Sequence, residues 1–290
     1  MAQFVLTAFG DEISPSPEVQ IEVLRRHGIG CLELRSADGV NIADFTPAMA
    51  ASLAHRLEAG GIRVSALGSP IGKIGVNDDF APHLAQFERL LGFAELFGTR
   101  FIRVFSFYIP KGVDPASCRG EVLRRLYILA DRAAARGVTL LHENEKGIYG
   151  DTAERCLDLL RAVGSPYLRA TFDPANFIQC GVTPYPDAYR LLSGYIEYVH
   201  IKDALAATGQ VVPAGCGDGR LPALLQTLSE KGFSGYLSIE PHLGYFPGME
   251  KLERKLDVTK IKNGGPEAFG VAADALASLL ASLPSGGRNA

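Results

Sequence analysis

TLLHEN at residues 139–144, RATFDPAN at 169–176, YVHIKDA at 198–204 and YLSIEPH at 236–242 share one pattern: an apolar, β-prone run that ends on an ionisable side chain. Runs of this kind, bounded by turn residues, read as buried strands. Working outward, eight of them lie along the chain: Phe4 to Gly10, Cys31 to Ser36, Arg63 to Gly68, Arg100 to Tyr108, Val138 to Asn144, Leu168 to Pro174, Tyr198 to Asp203 and Tyr236 to Pro241. Segments of helical period separate them, so each unit averages roughly 36 residues, enough for a strand, a crossover helix and two loops. Pro17, Pro47 and Pro115 stand at first-turn positions behind the N-cap candidates Ser16, Thr46 and Asp114, while Gly28, Gly60 and Gly137 mark the matching ends. Further helices are predicted over Phe80 to Gly98, Thr152 to Gly164, Pro184 to Gly194, Leu221 to Gly232 and Pro266 to Leu283. The expectation is an α/β chain forming a single (β/α)8 TIM barrel over residues 1–290, with 284–290 as a flexible tail. An open doubly wound sheet has the same alternation, so closure is for the structure to decide.

Composition sets the outer limits. Of the 290 residues 47% are hydrophobic and 21% charged, which supplies a large core and excludes disorder as the main character. The 29 Lys and Arg against 32 Asp and Glu give a net charge of −3, without the basic excess that nucleic acid binding requires. The opening MAQFVLTAFGDEIS reaches Asp11 and Glu12 without a basic region, so it does not read as a signal peptide, and no apolar stretch has the length of a membrane span. Cys31, Cys118, Cys156, Cys180 and Cys216 are odd in number and scattered, the usage of reduced packing residues in a cytoplasmic protein.

The chemistry gathers in the second half. Glu143, Asp173, His200 and Glu240 close four successive strands, and barrels place their active sites at that end. Three carboxylates converging there repel one another unless a cation sits among them, and an imidazole with carboxylates makes a reasonable shell for a divalent ion. Substrate-binding candidates are Arg35, Lys73, Arg103, Asn176, Lys202 and His242. Arg35 and Glu33 lie two apart and face one side of the second strand, where they either pair structurally or reach the pocket. Asp203 is read as orienting a neighbour or capping a turn, and His142 as facing the helices. His27, His55 and His83 are expected on helix surfaces. The run GCGDGR, residues 215–220, fits either an ordinary turn or a phosphate site.

These segments, with FGDEIS, LELRS and FIRVFSFY, resemble the xylose isomerase-like superfamily of sugar isomerases and epimerases, over nearly the whole chain. The resemblance implies one divalent metal held by Glu143, Asp173, His200 and Glu240. Apurinic endonucleases share the fold but assemble three metals with extra histidines; Asn176 stands here where they and several ketose epimerases carry His, which favours one metal. Hard or borderline ions suit the donors, Mn²⁺ first, with Mg²⁺, Co²⁺ or Zn²⁺ as alternatives.

The activity expected is proton transfer beside a carbonyl of a small sugar or polyol, through a metal-stabilised enediolate, with Glu143 and Glu240 as acid and base. Return of the proton defines an isomerase or epimerase. Loss of a β-hydroxyl from the same enolate defines a dehydratase of an inosose or keto-sugar type substrate, with Lys73 or His242 assisting. A non-catalytic sugar-binding barrel is a third reading. No membrane or nucleic acid partner is expected, and association into a homo-oligomer stays open.

Overall fold

The computed structural model describes residues 2–245, 249 and 264–284. Its eight long strands are β1 Gln3–Ala8, β2 Cys31–Leu34, β3 Arg63–Leu67, β4 Phe101–Val104, β5 Thr139–Glu143, β6 Leu168–Phe172, β7 Ile196–Ile201 and β8 Ser234–Ile239. All neighbours are parallel, and the ladder runs β1, β8, β7, β6, β5, β4, β3, β2. A single parallel bridge between Phe9 and Glu33 joins β1 to β2 and nearly closes the barrel. The ladder between β3 and β4 is equally sparse, with Leu67 opposite Ile102.

The helices are α1 Pro17–Arg26, α2 Pro47–Ala59, α3 Phe80–Leu96, α4 Pro115–Ala134, α5 Ala153–Val163, α6 Pro174–Gln179, α7 Tyr189–Leu192, α8 Leu221–Glu230 and α9 Pro266–Ala281. Thr46, Asp114 and Thr152 cap α2, α4 and α5 by accepting from Met49, Ala116 and Arg155 amides. Ser16 holds the N-cap position of α1 but spends its hydroxyl on Glu18. The helix predicted over Pro184 to Gly194 shrinks to α7, because Tyr185 is extended (φ −131°, ψ 130°) and the preceding turn is wide. One helix is absent from the sequence expectations: α6 starts on Asp173-Pro174, a capping acid before a first-turn proline. Of the expected tail 284–290, residues 285–290 lie outside the described residues.

Strand alternation sorts side chains into two environments. Leu140, Val199, Ile201, Leu237 and Ile239 point outward into the core between sheet and helices. Their neighbours point into the barrel, whose lower part is filled by Ala66, Phe101, Leu141 and Tyr198 with Tyr236 against them. Above that floor, Thr7, Ser65 and the Tyr198 hydroxyl form a buried hydrogen-bonded chain of 2.7 and 2.9 Å links. Further along, the inward positions at the C-terminal ends of β4 to β8 carry Arg103, Glu143, Asp173, His200 and Glu240, with Phe9 and Ser238 among them. The apolar floor and charged rim are therefore one period-two pattern read upward along the barrel axis.

Candidate metal centre and active site

Glu143 ends β5, Asp173 follows β6, His200 lies in β7 and Glu240 follows β8. One ligand atom from each falls within 4.8 Å of every other, and all four residues are buried. His200 Nδ1 is the hub, 3.3 Å from Glu143 Oε1, 3.6 Å from Asp173 Oδ2 and 3.4 Å from Glu240 Oε2. Backbone geometry aims them: Asp173 Oδ1 accepts the Asn176 amide as the cap of α6, leaving Oδ2 for the centre. Asn176 in turn donates its side-chain amide to Glu143 Oε1 at 3.0 Å.

Electrostatics show what the cluster lacks. Burial opposes a proton on His200, yet Glu143 and Glu33 outweigh it and hold the imidazole well above its ordinary range. Burial alone would raise the Glu143 carboxyl, but His200 and Arg103 pull it down to about 2. Glu240 is likewise held well below the carboxylate range, against burial, by Lys202 and His242. Asp173 goes the other way, burial raising it over the pull of Lys202. Glu143 Oε2, Asp173 Oδ2 and His200 Nδ1 make no hydrogen bond. Buried carboxylate oxygens and an imidazole nitrogen around one point, already drawing Lys202 and Arg103 to them, fit a divalent ion held by three carboxylates and one imidazole.

Cations surround the acids. Lys202 Nζ lies 2.9 Å from Asp173 and 2.8 Å from Glu240. Arg103 reaches 3.2 Å from Glu143 and 4.0 Å from Glu240. Lys73 sits 3.3 Å from Glu145 and over the Phe105 ring, with burial lowering its pKa against that pairing. Lys146 meets the other oxygen of Glu145 at 3.6 Å. His242 Nε2 lies 3.4 Å from Glu12 and 3.5 Å from Glu240, and Glu12 also accepts the His242 amide. Five of the six substrate candidates, Lys73, Arg103, Asn176, Lys202 and His242, line one narrow cleft with Glu143, Glu145, Lys146 and Glu240. The cleft holds about 10 Å³, the scale of one water, so its side chains must part to admit anything larger. Arg35 lies behind it, bonded to Asp11 at 2.7 and 2.9 Å, to Glu12 at 3.2 Å and to Glu240 at 3.3 Å.

The loops that carry these groups explain several sequence features. Gly72 has a positive φ of 90°, and a Cβ there would stand 2.0 Å from the Phe105 carbonyl oxygen, so only glycine lets the Lys73 loop cross β4. His83, expected on a surface, is instead buried, and its Nε2 accepts the Gly72 amide at 2.7 Å. His27 is half-buried against Phe269, while His55 is exposed. His142 points away from the cleft to Ser106 Oγ at 3.0 Å. In GCGDGR the amides of Gly215, Gly217 and Gly219 all donate to the Asp203 carboxylate, at 3.0, 3.0 and 2.8 Å. That settles the run as a turn knotted by Asp203, with the amides a phosphate would need already engaged. Asp11, Glu12, Glu145 and Lys146 join the site without having been assigned a role from the sequence. Asp11 and Glu12 follow β1 as Glu240 follows β8, and that strand-end position is the signal that marks them. A larger cavity of about 490 Å³, lined by Cys31, Arg63 and Tyr236 among others, lies at the opposite end of the barrel and gathers no such cluster.

With this geometry in place, residues 21–261 match the pattern of the xylose isomerase-like TIM barrel family. The chain belongs to that family. Among curated proteins, 2-oxo-tetronate isomerase of Cupriavidus necator is 27% identical over 232 residues, covering 74% of this chain and 87% of that protein. Among solved structures, the IOLI protein with a bound zinc atom superposes with a TM-score of 0.75 at 18% identity, covering 97% of this chain and all of that one. A family protein from Mycobacterium smegmatis in complex with magnesium gives 0.67 at 17% identity, with 97% and 98% covered. Both structural likenesses speak for the shared barrel. No helix among the described residues of this family member is long and apolar enough to cross a membrane, and none of the five cysteines forms a disulfide.

Proposed function

We propose that the protein is a divalent-metal-dependent isomerase of a small hydroxy-carbonyl substrate, of the 2-oxo sugar acid class. The observation that carries the reading is the convergence of Glu143, Asp173, His200 and Glu240, all buried, around one point at one rim. A divalent ion on these residues, Mn²⁺ as the first choice for the donor set, supplies Lewis acidity toward a carbonyl and its neighbouring hydroxyl.

The rest falls to the chain. Glu240 removes a proton from the hydroxyl-bearing carbon beside the carbonyl, the hydroxyl proton passes to the former carbonyl oxygen, and Glu143, on a different strand, delivers a solvent-derived proton to the former carbonyl carbon. Arg103, close to both carboxylates, offsets the negative charge that builds on oxygen between them. Asn176 holds Glu143 in place. Lys73, on the rim of the cleft beside Glu145, is placed to meet a substrate with an acidic end. The 2-oxo-tetronate isomerase relative supports the same class.

The test is turnover of 2-oxo-tetronates by Mn²⁺-loaded protein in D₂O, with ketoses and inososes in parallel. Deuterium at the carbon beside the carbonyl of an isomerised product is expected. A dehydrated product reassigns the protein as a lyase. Isomerisation without solvent label refutes Glu240 as base, and binding with neither turnover nor label leaves a sugar-binding barrel.

A further inference from the structure

Beneath the four ligand candidates lies a buried acid, Glu33, that the proposed mechanism does not use. Glu33 is 1% exposed, and its Oε2 lies at an ion-pair distance of 3.3 Å from His200 Nε2, a nitrogen with no hydrogen-bond partner, on the opposite side of the imidazole from the three carboxylates that surround Nδ1. Glu33 is itself held: Ser238 Oγ donates to the same Oε2 at 2.6 Å. Ser238 faces His200 in register across β8 and β7, so the hydroxyl and the ring share one level of the barrel. The register of β2 against β3 slips between Leu32 and Glu33, and Glu33 also makes the bridge to Phe9 that joins the barrel ends. Such slips re-aim a side chain beside a functional site. The imidazole is boxed in edge-on by Phe9, with ring centroids 5.3 Å apart, and by Tyr198 at 6.0 Å, which limits its rotation.

We infer that Glu33 is a positioning residue for His200: its carboxylate keeps a proton on Nε2, so that the Nδ1 lone pair faces Glu143, Asp173 and Glu240 as the nitrogen donor of the metal centre. A neutral imidazole carries one N–H and one lone pair, and the partner of the first decides where the second points. An acid within reach of Nε2 selects that tautomer; a barrel lacking it has nothing at that nitrogen to hold the proton there. The same carboxylate makes the ring a stronger donor. This role rests on the metal centre proposed above.

The experiment reads the metal alone. Zn²⁺-loaded, ¹⁵N-histidine-labelled wild type is expected to show the His200 proton on Nε2. In Glu33→Ala, Mn²⁺ affinity by calorimetry should fall about 10–100-fold, and Glu33→Gln, which keeps an acceptor oxygen, should recover most of it. Melting of each variant in chelator separates this from general damage, since a merely structural Glu33 would lower that melting temperature and leave the tautomer alone. A proton on Nδ1 in the loaded wild type overturns the assignment, as does a Glu33→Ala protein that binds Mn²⁺ within twofold of wild type. Should Glu33→Ala fail to fold, the wild-type spectrum and the Glu33→Gln affinity decide the matter. Wild type that takes up no divalent ion overturns the metal centre itself and this role with it, whereas binding through the wrong nitrogen leaves the centre standing.

Discussion

The two halves of the barrel contribute different chemistry to the same rim. Strands β5 to β8 bring Glu143, Asp173, His200 and Glu240, a donor set around one point. Strands β1 to β4 and their loops bring Arg35, Lys73 and Arg103, together with the acids Asp11, Glu12 and Glu33 that hold or orient what the second half presents. The contrast teaches that one end of a barrel can be divided by chemistry: one arc gathers the candidate metal donors, the other the guanidinium and ammonium groups that face them.

Substituting a ligand in the second arc should have the largest effect. Asp173→Ala is expected to lose metal uptake and all metal-dependent turnover. Wild type at an ion concentration of 100 times Kd should gain about 2.7 kcal/mol, or ~5 °C in Tm, and the variant should gain nothing. Elemental analysis and thermal melts with and without chelator check this; equal metal content in both proteins breaks the division at its root. Next comes Glu240→Gln, which keeps a coordinating oxygen but removes the base. Turnover should fall at least about 10²-fold with metal still bound, and deuterium uptake should slow in step. Undiminished activity removes Glu240 from the chemistry.

The first arc should answer more gently. Lys73→Ala is expected to raise KM about tenfold for a carboxylated substrate, the scale of about 1.4 kcal/mol, with kcat held within about threefold. A loss of kcat matching that of Glu240→Gln would erase the distinction between the arcs.

The last expected effect is on stability against pH and not on turnover. Burial and Arg125 lower His83 to about 4, where it accepts the Gly72 amide as a neutral ring. Below the ordinary value near 6.5 the unfolded chain takes up a proton that the folded chain refuses, so stability is complete above pH 6.5 and falls as pH drops toward 4. The loss is about 3 kcal/mol for this group. Melting from pH 7 to pH 4 should show it, and His83→Gln should flatten that slope; an unchanged slope would separate His83 from the Lys73 loop.

Legibility in the sequence follows the same division. The second arc announces itself because each ionisable residue interrupts an apolar strand at its C-terminal end, as in TLLHE and YLSIE. The barrel is legible for the same reason, since strand alternation and first-turn prolines are local properties. Glu33 and Arg35 carry no such mark: period two puts them on one face, but only the slip at Leu32 and the closing bridge send one beneath His200 and the other to Asp11. His83 looks like a surface residue because its acceptor role depends on a loop that arrives from outside its own helix. Asp203 reads as a turn cap, and its three glycine partners twelve to sixteen residues away account for the GCGDGR run.

The thin seams on either side of β2 and β3 have a bearing on motion. Among the described strands, one bridge, Phe9 to Glu33, pairs these staves with β1 and one matched pair, Leu67 and Ile102, pairs them with β4, while beyond the strand ends the amides of Phe105, Phe107 and Tyr108 donate to Ile71, Gly72 and Ile74. Local opening takes the path with fewest backbone bonds to break. Amides of β2 and β3 should therefore trade hydrogen for deuterium sooner than those of β5 to β8. Arg35 would ride on the part of the wall that breathes, while the candidate donors Glu143, Asp173, His200 and Glu240 stay on the part that does not.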